Sequence, residues 1–305
     1  MKTKLLLLTV LFMACVSASA QQQQKKCTLE TIDIVTGERT VVHVFPYTVE
    51  APNWTPDGRW IVYNSQGKIY RIKADGKGEP QEINTGFARN CNNDHVLSAN
   101  GKQLAISHHT REDFQSRVYT LPLKGGVPRL VTPVGPSYLH GWSPDGKTLV
   151  YCAQRDKQWD IYAIPAEGGE ETRLTEAPGL DDGPEYAPDG KHIWFNSVRN
   201  GEMQIYRMRN DGTEQTQMTF DSERNAWFPH VSPNGKWVCY VAYHRSDIAP
   251  DQHLPGYDVD LMLMSADGTT AAPRVIASIF GGQGSLNVNS WAPDSRRFCF
   301  VSFER

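Results

Sequence analysis

The sequence predicts an all-β protein: a six-bladed β-propeller of four-stranded blades, formed by residues 21–305 as a single domain. Three observations predict this fold. A short turn motif occurs six times, apolar segments of strand length follow each copy, and glycine turns recur between the later segments. The composition fits such a fold, because Gly 25 and Pro 19 supply turns and Trp 8, Tyr 12 and Phe 11 supply large core residues.

The turn motif has the pattern aromatic-Ser/Thr-Pro-Asp-Gly. Its copies, some with substitutions, occupy residues 54–58, 97–101, 142–146, 186–190, 231–235 and 291–295. Proline holds φ near −65° and starts a type I turn, and glycine accepts the positive φ that follows. The third motif positions are 56, 99, 144, 188, 233 and 293, so the steps are 43, 45, 44, 45 and 60 residues. A period of about 40–45 residues is typical of propeller blades.

Each motif predicts a hairpin that leads into a second strand, at residues 60–63, 103–107, 148–152, 192–195, 237–240 and 298–301. The last copy is followed by too few residues for a whole blade. Segments 31–35 and 39–45 at the other end of the chain supply the two missing strands. We therefore expect the sixth blade to be assembled from both termini, which leaves no free sheet edge in the ring.

Residues 1–20 have the pattern of a signal peptide. Lys2 and Lys4 precede an apolar run of 12 residues, and Ala18-Ser19-Ala20 matches a signal peptidase site. Bilayer spans need about 20 apolar residues, so this run is too short for one. A lipoprotein signal with Cys15 as the acylated residue is the alternative. The favoured prediction is a periplasmic or secreted protein.

Charge and cysteine usage exclude several function classes. The formal net charge of −3 and pI near 6.3 argue against nucleic-acid binding, which needs a basic face. The mature chain would keep five cysteines, at irregular spacing and without a C-x-x-C pair. We expect buried thiols that pack as small hydrophobes at Cys27, Cys91, Cys152, Cys239 and Cys299.

The recurring W-[ST]-P-D-G, I-Y and D-G-x-x-x-R-L-T pattern resembles the TolB-like six-bladed propeller family, over essentially the whole mature chain. TolB itself carries an additional N-terminal α/β domain, whereas only about 25 residues precede the first predicted blade, so this domain is expected to be absent. Related propellers occur in prolyl oligopeptidase-like peptidases. These carry a G-x-S-x-G elbow that this sequence lacks, so peptidase activity is not implied.

One face of the predicted ring concentrates unusual polar residues. The segments before the motifs and the loops after the second strands share this face, where loops on a rigid scaffold tend to carry function. The predicted ligand-binding funnel consists of Asn53, His95, His140, Asp182, Glu185, His230, Asn289, Arg155 and Arg199. The 60-residue step adds a polar loop at 243–259 on this face, either as a lid or partner contact or as a surface excursion.

Two functions remain open at this point. One is a binding module for an envelope protein or glycan, expected to be a monomer without a transmembrane segment or nucleic-acid partner. The other is a carbohydrate-active enzyme, a lyase or hydrolase on acidic oligosaccharides, in which His95, His140, Glu185 and His230 hold a divalent metal ion. Arginines would suit anionic sugars. His95 and His140 lie four residues before the third position of their motifs, whereas Glu185 and His230 lie three residues before theirs. Neighbouring strand residues point to opposite sides, so all four side chains need not face one point.

Overall fold

The computed structural model describes residues 26–305, so the predicted signal peptide lies outside the described residues. All regular secondary structure in the described part of the chain is β, with 23 strands in six antiparallel sheets. The sheets follow one another around a ring in chain order, which confirms the six-bladed propeller. Between residues 26 and 305 there is no helix long and apolar enough to cross a membrane.

The strands are numbered in chain order. The closing blade, blade 6, contains β1 (Cys27–Asp33), β2 (Arg39–Phe45) and, from the other end of the chain, β23 (Arg297–Phe303). Blades 1 and 2 contain β3 (Glu50–Trp54), β4 (Trp60–Ser65), β5 (Lys68–Lys73), β6 (Gln81–Ile83), β7 (Cys91–Leu97), β8 (Gln103–His109), β9 (Ser116–Pro122) and β10 (Arg129–Leu130).

Blades 3, 4 and 5 have the same four-stranded order, with the first strand innermost. Their strands are β11 (Ser137–Trp142), β12 (Thr148–Arg155), β13 (Gln158–Pro165), β14 (Thr172–Arg173), β15 (Asp181–Tyr186), β16 (His192–Ser197), β17 (Gln204–Arg209), β18 (Thr216–Gln217), β19 (Arg224–Val231), β20 (Trp237–His244), β21 (Pro255–Ser265) and β22 (Arg274–Gly282).

The turn motif closes the hairpin between the first and second strands of each blade. In blade 3, Gly146 N donates to Ser143 O at 2.8 Å, the hydrogen bond of a β-turn. Ser143 Oγ donates to Asp145 Oδ1 at 2.6 Å and accepts from Thr148 N at 2.9 Å, so the motif's side chains tie the turn to the next strand. Gly146 has φ +72°, as predicted.

Blade 6 joins the two ends of the chain. Strand β1 pairs with β23 from Cys27 opposite Phe303 to Asp33 opposite Arg297, and β2 covers the outer edge of β1. The innermost segment of this blade is irregular and pairs with β23 through a single bridge, Trp291 to Phe298. Closure by both termini is confirmed, although the fourth strand is reduced to this bridge.

In each of blades 1 to 5, the innermost strand contains a β-bulge. The register shifts lie between Glu50 and Asn53, Cys91 and His95, Leu139 and Gly141, Asp182 and Glu185, and Trp227 and His230. A bulge adds an unpaired residue and redirects the side chains after it. In blade 4 the bulge allows Asp182 and Glu185, three residues apart, to line the two ends of the same central channel.

Aromatic side chains fill the space between blades, among them the motif residues Trp142 and Trp291. Trp142 Nε1 donates to Val96 O of blade 2 at 3.0 Å, and Trp291 Nε1 donates to His230 O of blade 5 at 2.9 Å. Trp194 and Trp227 are also fully buried. The contacts of Trp142 and Trp291 combine apolar packing with a satisfied indole N–H, so they fix the angle between neighbouring blades.

Candidate functional site

The central channel opens into two separate cavities. The first, here called the entry cavity, has a volume of about 620 Å³ and lies where the innermost strands begin. It is lined by Glu50, Asn64, Cys91, Asn92, Asn93, Asp94, His109, Tyr138, His140, Cys152, Trp159, Leu180, Asp182, Phe228, Asp251, His253, Gln283 and Asn287. The second, the turn-side cavity, has a volume of about 380 Å³ and lies among the turn motifs.

A buried charge cluster forms one part of the entry cavity. His140 Nε2 in blade 3 lies 3.1 Å from Asp182 Oδ1 in blade 4, and Asp94 in blade 2 is close enough to interact electrostatically with both. All three side chains are less than one-tenth exposed. Three blades therefore contribute to one polar site at the channel mouth.

The pKa values in this cluster differ in direction. Burial acts to lower the pKa of His140, but Asp182 and Asp94 outweigh it, so the pKa is raised. Burial acts to raise the pKa of Asp182, but His140 outweighs it and the pKa is lowered. Burial raises the pKa of Asp94 to about 6, since His140 offsets only part of that effect. The geometry supports a charged His140–Asp182 pair.

A second polar group comes from blade 1. Asn64 Nδ2 donates to Glu50 Oε2 at 3.4 Å, a long hydrogen bond. Burial, with a smaller contribution from Asp94, raises the pKa of Glu50. The Asn64 Oδ1 atom is buried and has no hydrogen-bond partner among residues 26–305. Blade 1 thus places one unsatisfied acceptor in the wall of the cavity.

Aromatic rings form the remaining walls. The rings of Tyr138 and Trp159 lie 5.9 Å apart, and Phe228 stacks on His140 at 5.7 Å. The predicted long loop after β20 supplies His253, whose ring contacts Phe228 at 5.2 Å, and Asp251. This loop therefore contributes two residues to the wall of the cavity.

Four of the predicted funnel residues instead connect blades 1, 4, 5 and 6 to one another. Glu185 Oε2 lies 2.7 Å from His230 Nδ1, and Glu185 Oε1 accepts from Val231 N at 2.8 Å. Asn289 Nδ2 donates to Glu185 Oε1 at 2.7 Å, and Asn53 Nδ2 donates to Asn289 O. Asn53, Glu185 and Asn289 border the turn-side cavity. We call Asn53, Glu185, His230 and Asn289 the inter-blade network.

His95 is fully buried and borders neither cavity. Neither of its ring nitrogens has a hydrogen-bond partner in the described part of the chain, although the ring lies near the backbone of Val62. Burial lowers the pKa of His95 to about 4, so the ring is neutral at physiological pH. His95 therefore packs as an uncharged core residue.

The two predicted arginines are held in ion pairs within their own blades. Arg155 Nε lies 2.7 Å from Glu171 Oε1, and Arg199 Nη2 lies 3.0 Å from Asp181 Oδ2. Neither arginine lines the entry cavity. The positive charge that the sequence suggested for binding anionic sugars is therefore not present there.

The nine predicted funnel residues thus separate into four groups, and among the described residues only His140 and Asp182 of the nine line the entry cavity. Nor do the four predicted metal ligands come together. Across residues 26–305, no three His, Cys, Asp or Glu side chains are arranged so that they could hold a metal ion. Sequence reasoning omitted Glu50, Asn64 and Asp94. Glu50 lies six residues before its motif's third position, as Asp182 does, and this shared register is the signal that could have identified it.

Comparisons with known proteins agree on one family. A family model described as the TolB beta propeller domain matches residues 97–267. An uncharacterized protein of Agrobacterium fabrum is 44% identical over 278 residues, which make up 91% of this chain and 92% of that protein. The solved structure of a candidate TolB from Agrobacterium tumefaciens is 43% identical with a TM-score of 0.87, covering 92% of this chain and 99% of that chain.

More distant solved structures share the fold alone. TolB from Acinetobacter baumannii is 20% identical with a TM-score of 0.62, over 82% of this chain and 65% of that one. An oligogalacturonate lyase in complex with manganese is 15% identical with a TM-score of 0.53, over 84% of this chain and 74% of that one. The turn motifs, the ring of six blades and the match over more than half of the sequence lead to one conclusion: the chain belongs to the TolB β-propeller family.

Proposed function

We propose that this propeller is an exported binding module, periplasmic or secreted, that holds its ligand in the entry cavity. The observation that carries the proposal is the buried polar cluster of Asp94, His140 and Asp182 at the mouth of a cavity of about 620 Å³. Binding sites for small ligands are typically concave, partly apolar and furnished with a few fixed polar groups. The aromatic walls and the loop carrying His253 complete such a site.

The carbohydrate-active alternative receives less support. Its four proposed metal ligands do not form a site, and its two arginines are bound to carboxylates of their own blades. The distant likeness to a lyase that binds manganese concerns the fold only. We therefore regard the cavity as a place where a ligand, either a segment of an envelope protein or a glycan, is bound and not cleaved.

The binding function can be tested by filling the cavity. Gln283 lines the entry cavity, so Gln283→Trp would occupy part of its volume, whereas Gln103→Trp adds the same ring at an exposed strand end. After incubation with a periplasmic extract of Agrobacterium fabrum, native mass spectrometry should detect a retained ligand on the unmodified protein and on Gln103→Trp. The Gln283→Trp variant should retain none. Equal retention by all three proteins would refute binding in this cavity.

Export is tested separately. We expect to find the protein in the periplasmic fraction or in the medium, with its N-terminus at Gln21. Intact mass measurement of the fractionated protein gives the answer. A chain that keeps residues 1–20, or one acylated at Cys15, would contradict the proposed processing.

A further inference from the structure

The charges around the entry cavity are unbalanced. Glu50, Asp94, Asp182 and Asp251 line it, and no lysine or arginine does so in the described chain. His140 is already paired with Asp182. A cavity with this excess of carboxylates attracts positive charge and repels anions.

We propose that the entry cavity binds an organic cation with N–H donors, either a protonated amine or a guanidinium group. The proposal rests on the proposed binding function and names the chemical class of its ligand. Carboxylates and amide oxygens accept hydrogen bonds from such a group, and charge-assisted hydrogen bonds are the strongest ones available in proteins.

An unsatisfied acceptor supports the need for N–H donors independently of the charge. Asn64 is 3% exposed and lines the cavity, yet no described residue forms a hydrogen bond with its Oδ1 atom. Its Nδ2 atom points toward Glu50 Oε2, an acceptor, which assigns the orientation of the amide. Buried acceptors without partners are costly and rare in folded proteins, so a donor from a ligand would complete this site.

The aromatic walls suit the same ligand. Tyr138 and Trp159 both line the cavity and lie 5.9 Å apart, and Phe228 lines it from blade 5. A cation that lies over such rings is attracted by their negative faces, most strongly over tryptophan. Amines and guanidinium groups therefore find both carboxylates and aromatic faces in one cavity.

The raised pKa values of the carboxyl groups are consistent with a missing positive charge. Burial raises the pKa of Asp94 to about 6 and also raises the pKa of Glu50, and no lysine or arginine of the described chain lines the cavity to offset this effect. A bound cation would lower both pKa values. An anionic oligosaccharide would instead bring further negative charge beside them.

The test compares probes of similar size and different charge. Isothermal titration calorimetry in buffer with EDTA measures binding of cadaverine and agmatine, of the neutral 1,5-pentanediol and of the anionic glutarate. We expect both cations to bind at least tenfold more tightly than the diol or the diacid. If the diol or diacid binds as tightly, or neither cation binds, the proposal is wrong.

A further probe distinguishes the source of the cation. A blocked Ala-Lys-Ala peptide presents the same ammonium group on a peptide backbone. Tighter binding of this peptide than of cadaverine assigns the ligand to a basic peptide segment, and weaker binding assigns it to a free amine. Permethylated cadaverine keeps the charge and lacks N–H donors, so it should bind about tenfold more weakly than cadaverine. Equal binding would contradict the role given to Asn64.

Variants locate the binding in the cavity. Asp94→Asn should weaken cadaverine binding by about tenfold, and Asn64→Ala by a few-fold. Asp160→Asn removes a buried carboxylate that pairs with Arg173 outside the cavity, so its affinity should stay within twofold. Circular dichroism checks that each variant is folded, and Glu50→Gln replaces Asp94→Asn if the latter does not fold. Unchanged affinity in the cavity variants would overturn the proposal.

Failure of the cation proposal can be distinguished from failure of the proposed binding function. If native mass spectrometry detects a cavity-bound ligand from the extract but the cationic probes do not bind, only the ligand class is wrong. If neither is observed, the binding function itself fails.

Discussion

Glu185 and His230 connect two blades through a buried hydrogen bond of 2.7 Å between Oε2 and Nδ1. His230 Nε2 lies 3.2 Å from Leu286 O, a carbonyl that can only accept, so Nε2 carries a proton. One further proton must then lie between Nδ1 and Oε2. Glu185 Oε1 also accepts from Val231 N and Asn289 Nδ2. Both oxygens of the Glu185 carboxyl group therefore form hydrogen bonds within the inter-blade network.

This pair predicts a large difference between two substitutions of Glu185. Glu185→Gln keeps an oxygen for Val231 N and an N–H for His230, so it should lower the free energy of unfolding by about 1 kcal/mol. Glu185→Ala leaves several buried groups unpaired and should cost about 4 kcal/mol. Urea unfolding followed by tryptophan fluorescence measures both. Glu167→Ala, at an 88% exposed side chain, is the control and should change stability by less than about 0.5 kcal/mol. Equal losses in the two Glu185 variants would contradict the network.

The His140–Asp182 pair predicts a pH-dependent contribution to stability. The raised pKa of His140 means that its contribution is complete below its unfolded value of 6.5 and is lost as pH rises through the folded value. The lowered pKa of Asp182 means that its contribution is present above 3.8 and is lost as pH falls through the folded value. The pair is therefore most stabilising between pH 3.8 and 6.5.

We expect Asp182→Asn to cost about 3 kcal/mol at pH 5.5, because it leaves a buried histidine charge without its partner, and less at pH 9. Chemical unfolding at the two pH values measures this difference. The chain offers a matched control in His192 and Asp189, which form a pair of 2.7 Å at the surface. Asp189→Asn should cost less than about 1 kcal/mol at either pH. A pH-independent cost at Asp182 would show that the pair is not charged.

The buried ring of His95 predicts that the free energy of unfolding decreases as the pH falls, which is opposite in sign to the contribution of His140. Its pKa is lowered by burial to about 4, against 6.5 in the unfolded chain. Between these values the unfolded state binds a proton that the folded state does not, so stability falls as pH is lowered from 6.5 to 4, by about 3 kcal/mol. His95→Leu should remove this loss. Unfolding free energies at pH 7.5 and 4.5 provide the test, with His43→Leu on the outer strand β2 as a control. If His95→Leu keeps the full acid sensitivity, another group causes it.

The buried thiols predict slow chemical modification. Burial raises the pKa of Cys91 to about 12 and also raises the pKa values of Cys152, Cys239 and Cys299. Only a thiolate reacts readily with a maleimide, and these four residues are at most 5% exposed. Peptide mass spectrometry should find them unlabelled in the native protein and fully labelled in urea. Rapid native labelling of any of the four would contradict its burial.

The ring of blades was predictable because its determinants are local. A motif such as 142–146 combines a proline, a carboxylate and a glycine that specify one turn, and the period between copies reports the size of one blade. Pairing of β1 with β23 followed from counting strands. These inferences need no knowledge of which side chains meet across the channel.

The site was harder to predict because it depends on contacts between blades. Strand alternation would place Asp182 and Glu185 on opposite faces, yet the bulge between them breaks the alternation and directs Glu185 to His230. Likewise, nothing near Arg155 in the sequence shows that Glu171 will bind it. Asp94, His140 and Asp182 come together only when three blades are assembled, and no pattern within one repeat encodes their distances.

Closure by β1 and β23 also determines the order in which the protein can be completed. Arg297–Phe303 is the last of the described strands to be synthesised, and Cys27–Asp33 has no inner neighbour until it arrives. This contact has the longest sequence separation of any strand pairing in the described chain, and such contacts form slowly because they close the largest loop. Loss of the final strand would leave blades 1 to 5 as an open arc with an exposed strand at β1, and so a surface for aggregation. A circular permutant that joins the present termini and opens the chain between two other blades would convert this long-range contact into a local hairpin.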